Sequence, residues 1–103
     1  MIIEIKSAEE FDNYVKNYTC LVDFNATWCG PCRMLAPNLE RLDAEGHFPD
    51  LKILSVDVDR VPAISARYGI QLIPTLFLME GGVRTKVTQG YQTVDSLINF
   101  IKK

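Results

Sequence analysis

The sequence holds one histidine and three cysteines, and its charges nearly cancel, with 11 Lys and Arg against 13 Asp and Glu. Each shortage excludes something. A net charge of -2 leaves no basic footprint for nucleic acid or an anionic lipid surface, and Lys102 and Lys103 are only a short basic end. Three cysteines cannot all pair within one chain, so a secreted disulfide framework is not expected. The start, MIIEIKSAEEFD, lacks the basic region and apolar stretch of a signal peptide and carries acidic residues too early for a transit peptide. The expectation is a cytoplasmic protein whose partners are proteins or small molecules, with no role at nucleic acid or membrane. There is no internal repeat, low-complexity segment or linker.

What the chain does have is apolar content. At 103 residues and 48% hydrophobic, residues 1–103 suffice for a single domain with a buried core. Residues 2–5 alternate as a short edge strand does, and Ser7 with Glu10 forms a capping box for a helix carrying Phe11, Tyr14, Val15 and Tyr18 as far as about Asn17. CLVDFNA is a nearly continuous apolar run, as expected of a central strand covered on both faces. A second helix starts around Pro31 and carries Met34, Leu35, Leu39 and Leu42 to a stop at Gly46, with Pro37 expected to kink it. A third strand begins at Leu51, and Asp59 is placed to cap a short helix that reaches Tyr68 and ends at Gly69. PTLFLM and VRTKVTQ form a hairpin about Glu80, Gly81 and Gly82, and Thr93 caps a last helix with Val94, Leu97, Ile98 and Ile101 on one stripe. The order β-α-β-α-β-α-β-β-α is that of an α/β layer fold. Pattern alone places mostly parallel strands between helix layers, with an antiparallel hairpin at one edge.

The chemistry concentrates in DFNATWCGPC. A Cys-x-x-Cys that opens a helix straight after a buried strand places Cys29 beside free helical amides and the positive end of the helix dipole, both of which favour a thiolate. Cys32, one turn in, is expected to be more shielded and near enough to close a disulfide, so the pair can carry two electrons. Gly30 and Pro31 bring no charge to stabilise the thiolate, which points to a reductant rather than an oxidant. A zinc site would need about four ligands, and beyond this pair only Cys20 and His47 offer thiol or imidazole. A static disulfide is disfavoured in a cytosolic chain. Cys20 is expected to be a small buried hydrophobe. Asp23 admits two readings: a desolvated carboxyl of raised pKa that takes the proton of Cys32, or a carboxylate facing solvent at a strand end.

With these motifs in place the sequence resembles the thioredoxin family over essentially its whole length. The resemblance rests on LVDF leading into ATWCGPC, the helix RMLAPNLERL with its internal proline, YGIQLIPTLFLMEGG and a late TQGY. It implies a mixed five-stranded sheet with helices on both faces, in place of the mostly parallel sheet. It also implies Cys29 as attacking cysteine, Cys32 as resolving cysteine, Asp23 as buried base and a cis bond at Ile73-Pro74. Trp28, Gly30, Pro31, Ile73, Pro74 and Gly90 would form a flat apolar substrate surface about the Cys29 sulfur. The implied activity is reduction of protein disulfides through the Cys29-Cys32 redox disulfide, with no bound cofactor or metal and electrons from a thioredoxin reductase; a monomer is expected. Alternatives are an exported oxidase or isomerase and a non-catalytic binding subunit. Two positions depart from the family pattern: Asn25 stands where many members have tryptophan, and Ser55 where many have a lysine near the buried aspartate.

Overall fold

The computed structural model describes residues 1–103. In chain order the elements are β1 (Ile2–Glu4), α1 (Ala8–Asn17), β2 (Cys20–Asn25), α2 (Gly30–Ala44), β3 (Lys52–Asp57), α3 (Pro62–Arg67), β4 (Thr75–Glu80), β5 (Val83–Gln89) and α4 (Val94–Lys102). Local signals account for most of the boundaries. The Ser7 hydroxyl accepts from the Glu10 amide at 3.1 Å, while the Glu10 carboxylate reaches back to the Lys6 amide at 2.7 Å. Thr93 caps α4 through the Ser96 amide at 3.1 Å. The β4–β5 hairpin turns on Gly81 and Gly82, whose φ angles of 60° and 79° fit two consecutive left-handed turn positions that a side chain would strain. Pro37 lies inside α2, which runs on past it to Ala44.

Helix α3 departs from expectation. Asp59 does not cap it: the N-cap position is Val61, which offers no side-chain bond, and Pro62 opens the helix with its fixed φ. The carboxylate that organises this turn is Asp57, whose Oδ1 accepts from the Asp59 and Arg60 amides at 2.9 and 3.2 Å. The end of the helix is as expected: Tyr68 is the C-cap, and Gly69 follows in the left-handed region with φ of 62°.

The sheet order is β1-β3-β2-β4-β5. β1 and β2 run parallel to β3, whereas β4 is antiparallel to both β2 and β5. The mostly parallel arrangement suggested by periodicity is therefore corrected to a mixed sheet. A physical reason lies in α3, whose six residues span only about 9 Å against a strand length of about 20 Å. The helix does not return the chain to the start of the sheet, so β4 enters from the end where β3 finished.

Side chains on β2 alternate, and the two faces take different partners. Cys20, Val22 and Phe24 pack with Phe11 and Val15 of α1 and Ile64 of α3. Leu21 packs on the other face with Leu35, Leu39 and Leu42 of α2 and Leu97 of α4. Asp23, two residues beyond Leu21, shares that second face. The first face is aromatic at its centre, with Phe77 4.9 Å from Phe24 and 5.1 Å from Tyr68, ring centroid to centroid, and both pairs edge-on. Replacing Phe77 by alanine should cost about 3–5 kcal/mol of stability, the usual range for a fully buried phenylalanine. Urea denaturation with fluorescence or circular dichroism measures it, and a loss below about 1 kcal/mol would show that the aromatic cluster is not the centre of this core.

Candidate active site

The cysteine pair sits where β2 hands over to α2. Cys29 is the N-cap of α2, and its sulfur accepts from the Cys32 amide at 3.2 Å. That contact satisfies one of the amides left free at a helix start. Cys29 and Cys32 are joined as a disulfide, with Cα atoms 5.3 Å apart. Their burial corrects one expectation. Cys32 is no more shielded than Cys29, each being 5% exposed, because Val58 and Ile73 pack against the pair together with Ala26.

The remaining residues singled out in the sequence divide into those around the pair and those behind it. The peptide bond Ile73-Pro74 is cis, and the Ile73 carbonyl oxygen lies 3.8 Å from the Cys29 sulfur. Pro74 is buried, Ile73 half-buried. The Gly90 amide donates to the Pro74 carbonyl at 2.8 Å, which carries the β4–β5 pairing up to the level of the disulfide. Gly90 has φ of 87°, a conformation that favours glycine. Trp28 is 67% exposed rather than packed in the core, and its indole N–H donates to Asp59 Oδ2 at 2.8 Å. Gly30 is half-buried and Pro31 exposed. Leu72 and Tyr91, adjacent in the chain to Ile73 and Gly90, and Met34 in the first turns of α2 are also exposed apolar side chains.

Asp23 lies behind the pair and is buried, not turned to solvent at a strand end. It is registered with Ser55 on β3 and Leu76 on β4. Burial pushes its carboxyl up to about 6, opposed by a hydrogen bond from Asn25. The Asn25 Nδ2 donates to Asp23 Oδ2 at 3.0 Å and to Ser55 Oγ at 2.9 Å. Asp23 Oδ1 is buried with no hydrogen-bond partner. A cleft of about 240 Å³ lined by Asp23, Asn25, Cys32, Ser55, Asp57 and Arg60 brings the carboxyl and the second cysteine to one space. A carboxyl that titrates near 6 in contact with that space is able to exchange protons around neutral pH.

Sequence reasoning did not see the Trp28–Asp59 bond or the part of Asp57 and Arg60 in the cleft, since these groups are separated by some thirty residues and no local pattern links them. The third thiol stands apart. Cys20 is fully buried on the α1 face, its sulfur 3.5 Å from the Tyr18 carbonyl oxygen, and desolvation pushes it up to about 11. No group of three or more His, Cys, Asp or Glu side chains is placed to hold a metal ion, and no helix is long and apolar enough to cross a membrane.

Comparison with known proteins matches this arrangement. A family model described as Thioredoxin matches residues 2–103. The chain is 40% identical over 102 residues to a thioredoxin of Chlamydia trachomatis serovar D, covering 99% of this chain and 98% of that one. It is 39% identical over 102 residues to a thioredoxin of Staphylococcus aureus, covering 99% and 96%. Among solved structures it superposes on a Plasmodium falciparum thioredoxin with a TM-score of 0.89 at 28% identity, covering 97% of this chain and 96% of that one. A mutant thioredoxin from Halobacterium salinarum NRC-1 gives 0.88 at 34% identity, covering 98% and 88%.

The raised Asp23 carboxyl makes stability depend on pH with a definite sign. Between the ordinary value of 3.8 and about 6 the folded protein binds more protons than the unfolded chain, so stability falls as pH rises through that window and the deficit is complete above it. Asp23→Ala in the oxidised protein should therefore gain about 2–3 kcal/mol more, relative to the parent, at pH 8 than at pH 4. Denaturant midpoints across pH measure this, and a difference that does not change with pH would refute the raised value.

Proposed function

Since the chain belongs to the thioredoxin family and is a protein-disulfide oxidoreductase acting through its own Cys29-Cys32 disulfide, we propose that it works in the reducing direction, as a cytoplasmic, monomeric, single-domain reductant of protein disulfides. The observation that carries the reading is the redox pair at the N-terminus of α2, with a raised carboxyl behind it in the same cleft. Gly30 and Pro31 add no charge that would favour the thiolate further and turn the pair toward oxidation.

In the proposed cycle the Cys29 thiolate, stabilised by the helix amides and dipole, attacks one sulfur of a substrate disulfide. A Cys29–substrate disulfide forms, and the other substrate sulfur leaves as a thiolate. Cys32 then gives its proton to Asp23 and its sulfur attacks the Cys29 sulfur. The Cys29–Cys32 bond forms, the Cys29–substrate bond breaks, and the second substrate sulfur leaves with the electron pair. The substrate has gained two electrons and the protein has lost two. A thioredoxin reductase, the donor that the family implies, would restore the dithiol.

The exposed Trp28 and Pro31, with Gly30, Ile73, Pro74 and Gly90, are assigned to the substrate surface. A mostly apolar face with backbone carbonyls and amides near the sulfur discriminates little between side chains, as a reductant of many proteins requires. Supporting this is the Ile73 carbonyl beside the Cys29 sulfur.

Cys29→Ser should abolish reduction of a disulfide-bonded test protein, whereas Cys32→Ser should still attack once and accumulate a mixed disulfide at Cys29, seen by mass spectrometry and non-reducing electrophoresis. Accumulation in the Cys29→Ser protein instead would reverse the two roles. Titration of the pair against a dithiol buffer should give a potential on the reducing side of disulfide-forming compartments. A potential at or above theirs would exclude the reductant reading.

A further inference from the structure

Asn25 and Ser55 are hydrogen-bonded to each other beside Asp23. Residues 23 and 25 project from the same face of β2, and Ser55 is in register with Asp23 on the neighbouring strand β3. One amide nitrogen therefore serves both neighbours: Asn25 Nδ2 donates to Asp23 Oδ2 at 3.0 Å and to Ser55 Oγ at 2.9 Å. An amide has two N–H bonds directed in one plane; the Asp23 carboxylate and the Ser55 hydroxyl are its shorter acceptors, with the Asp23 backbone carbonyl at 3.3 Å, and together they fix its position and orientation. The same bond occupies one carboxylate oxygen and leaves the other, the buried Oδ1, without a partner.

We propose that Asn25, held by Ser55, is a positioning residue for disulfide exchange: its amide pins the Asp23 carboxylate so that Oδ1 is the oxygen left free to take the Cys32 proton. The proposal rests on Asp23 acting as that proton acceptor. The amide has a second effect. A hydrogen bond donated to a carboxylate favours its ionised form, and here it opposes the effect of burial. Because the donor is neutral, it moderates the proton affinity of Asp23 without adding a full positive charge to the cleft. The other titratable groups facing the same space are Cys32, Arg33 and Glu40 from α2, Glu4 from β1, and Asp57 and Arg60 from the end of β3 and the turn after it. Asp57 Oδ1 is engaged by two backbone amides, and Arg60 is exposed. Of the polar groups around the carboxylate, only the Asn25 side chain bonds to it.

The test follows Asp23 itself and the resolving step separately. Carboxyl carbon resonances would be titrated in the oxidised parent, Asn25→Leu, Asn25→Ala and Asn25→Gln, with near-ultraviolet circular dichroism confirming the native fold. Leucine matches asparagine closely in shape and removes the amide without opening the cleft; alanine is the second variant. In parallel, a small-molecule thiol would be placed in mixed disulfide on Cys29, and its release by Cys32 timed across pH. The expected result is that Asn25→Leu and Asn25→Ala raise the proton affinity of Asp23 about tenfold, the loss of one hydrogen bond to a charged group. The pH at which release reaches half its maximal rate should move up by the same amount, with Asn25→Gln recovering part of both. An unmoved or lowered Asp23 midpoint in the folded leucine and alanine variants overturns the assignment of Asn25. If that happens while Asp23→Ala slows release and flattens its pH profile, the base role of Asp23 stands and only Asn25 is wrong. If Asp23→Ala releases the thiol as fast as the parent at every pH, the base role itself falls, and the positioning role with it.

Discussion

A carboxyl group on the covered face of the central strand is the constraint around which the active end of this molecule is organised. Asp23 lies in the row that includes Leu21, between a serine on one neighbouring strand and a leucine on the other, beneath a helix that presents leucines to the sheet. Desolvation there raises its proton affinity into the neutral range. Such a group costs stability at neutral pH, and nothing in the core needs it for packing. Its surroundings are what give it use: an opening to the second cysteine on one side and a single amide donor on the other. Cores that retain an ionisable group of this kind usually do so at functional sites.

The second cysteine reaches that carboxyl because of how α2 is anchored. Leu35, Leu39 and Leu42 hold the helix against the sheet along its length. Its first turn therefore projects at the strand end as a fixed unit. Cys29 caps that turn with its sulfur and Cys32 follows at the next position on the same side. The hydrophobic packing of a helix body and the electrostatics of its N-terminus are thus one device. The same packing that stabilises the fold holds the Cys32 amide against the Cys29 sulfur.

The mixed sheet supplies the other half. Because α3 is short, the chain re-enters the sheet from the end at which β3 leaves it, and β4 runs antiparallel to β2. Its first residues consequently lie level with the end of β2, where the cysteines are. This sets the Ile73 carbonyl beside the Cys29 sulfur and ties Gly90 to Pro74. Trp28 is held at the rim by its bond to Asp59, in the turn after β3, so four segments distant in sequence converge on one small surface.

Much of this was legible in the residues. The continuous apolar run of β2, the capping pairs Ser7–Glu10 and Thr93–Ser96, and the Gly81-Gly82 turn each carry their structural instruction within a few neighbouring positions, so the strands, helices and hairpin were expected close to where they lie. The Cys-x-x-Cys at a strand-to-helix boundary likewise announced redox chemistry, because spacing and helix polarity are local properties. Other features depended on segments meeting. Periodicity did not distinguish a mixed sheet from a parallel one, since side-chain alternation is the same in both. The burial of Asp23, equal for a strand interior and a strand end as far as LVDF can say, was decided by α2 closing over it. Asp59 was placed at a helix cap by its sequence neighbours and taken instead by an indole thirty-one residues away. The redox pair was thus written in the sequence, whereas the environment of the buried carboxyl behind it was fixed only by tertiary packing, because desolvation and hydrogen bonding between strands depend on neighbours that the chain order does not name.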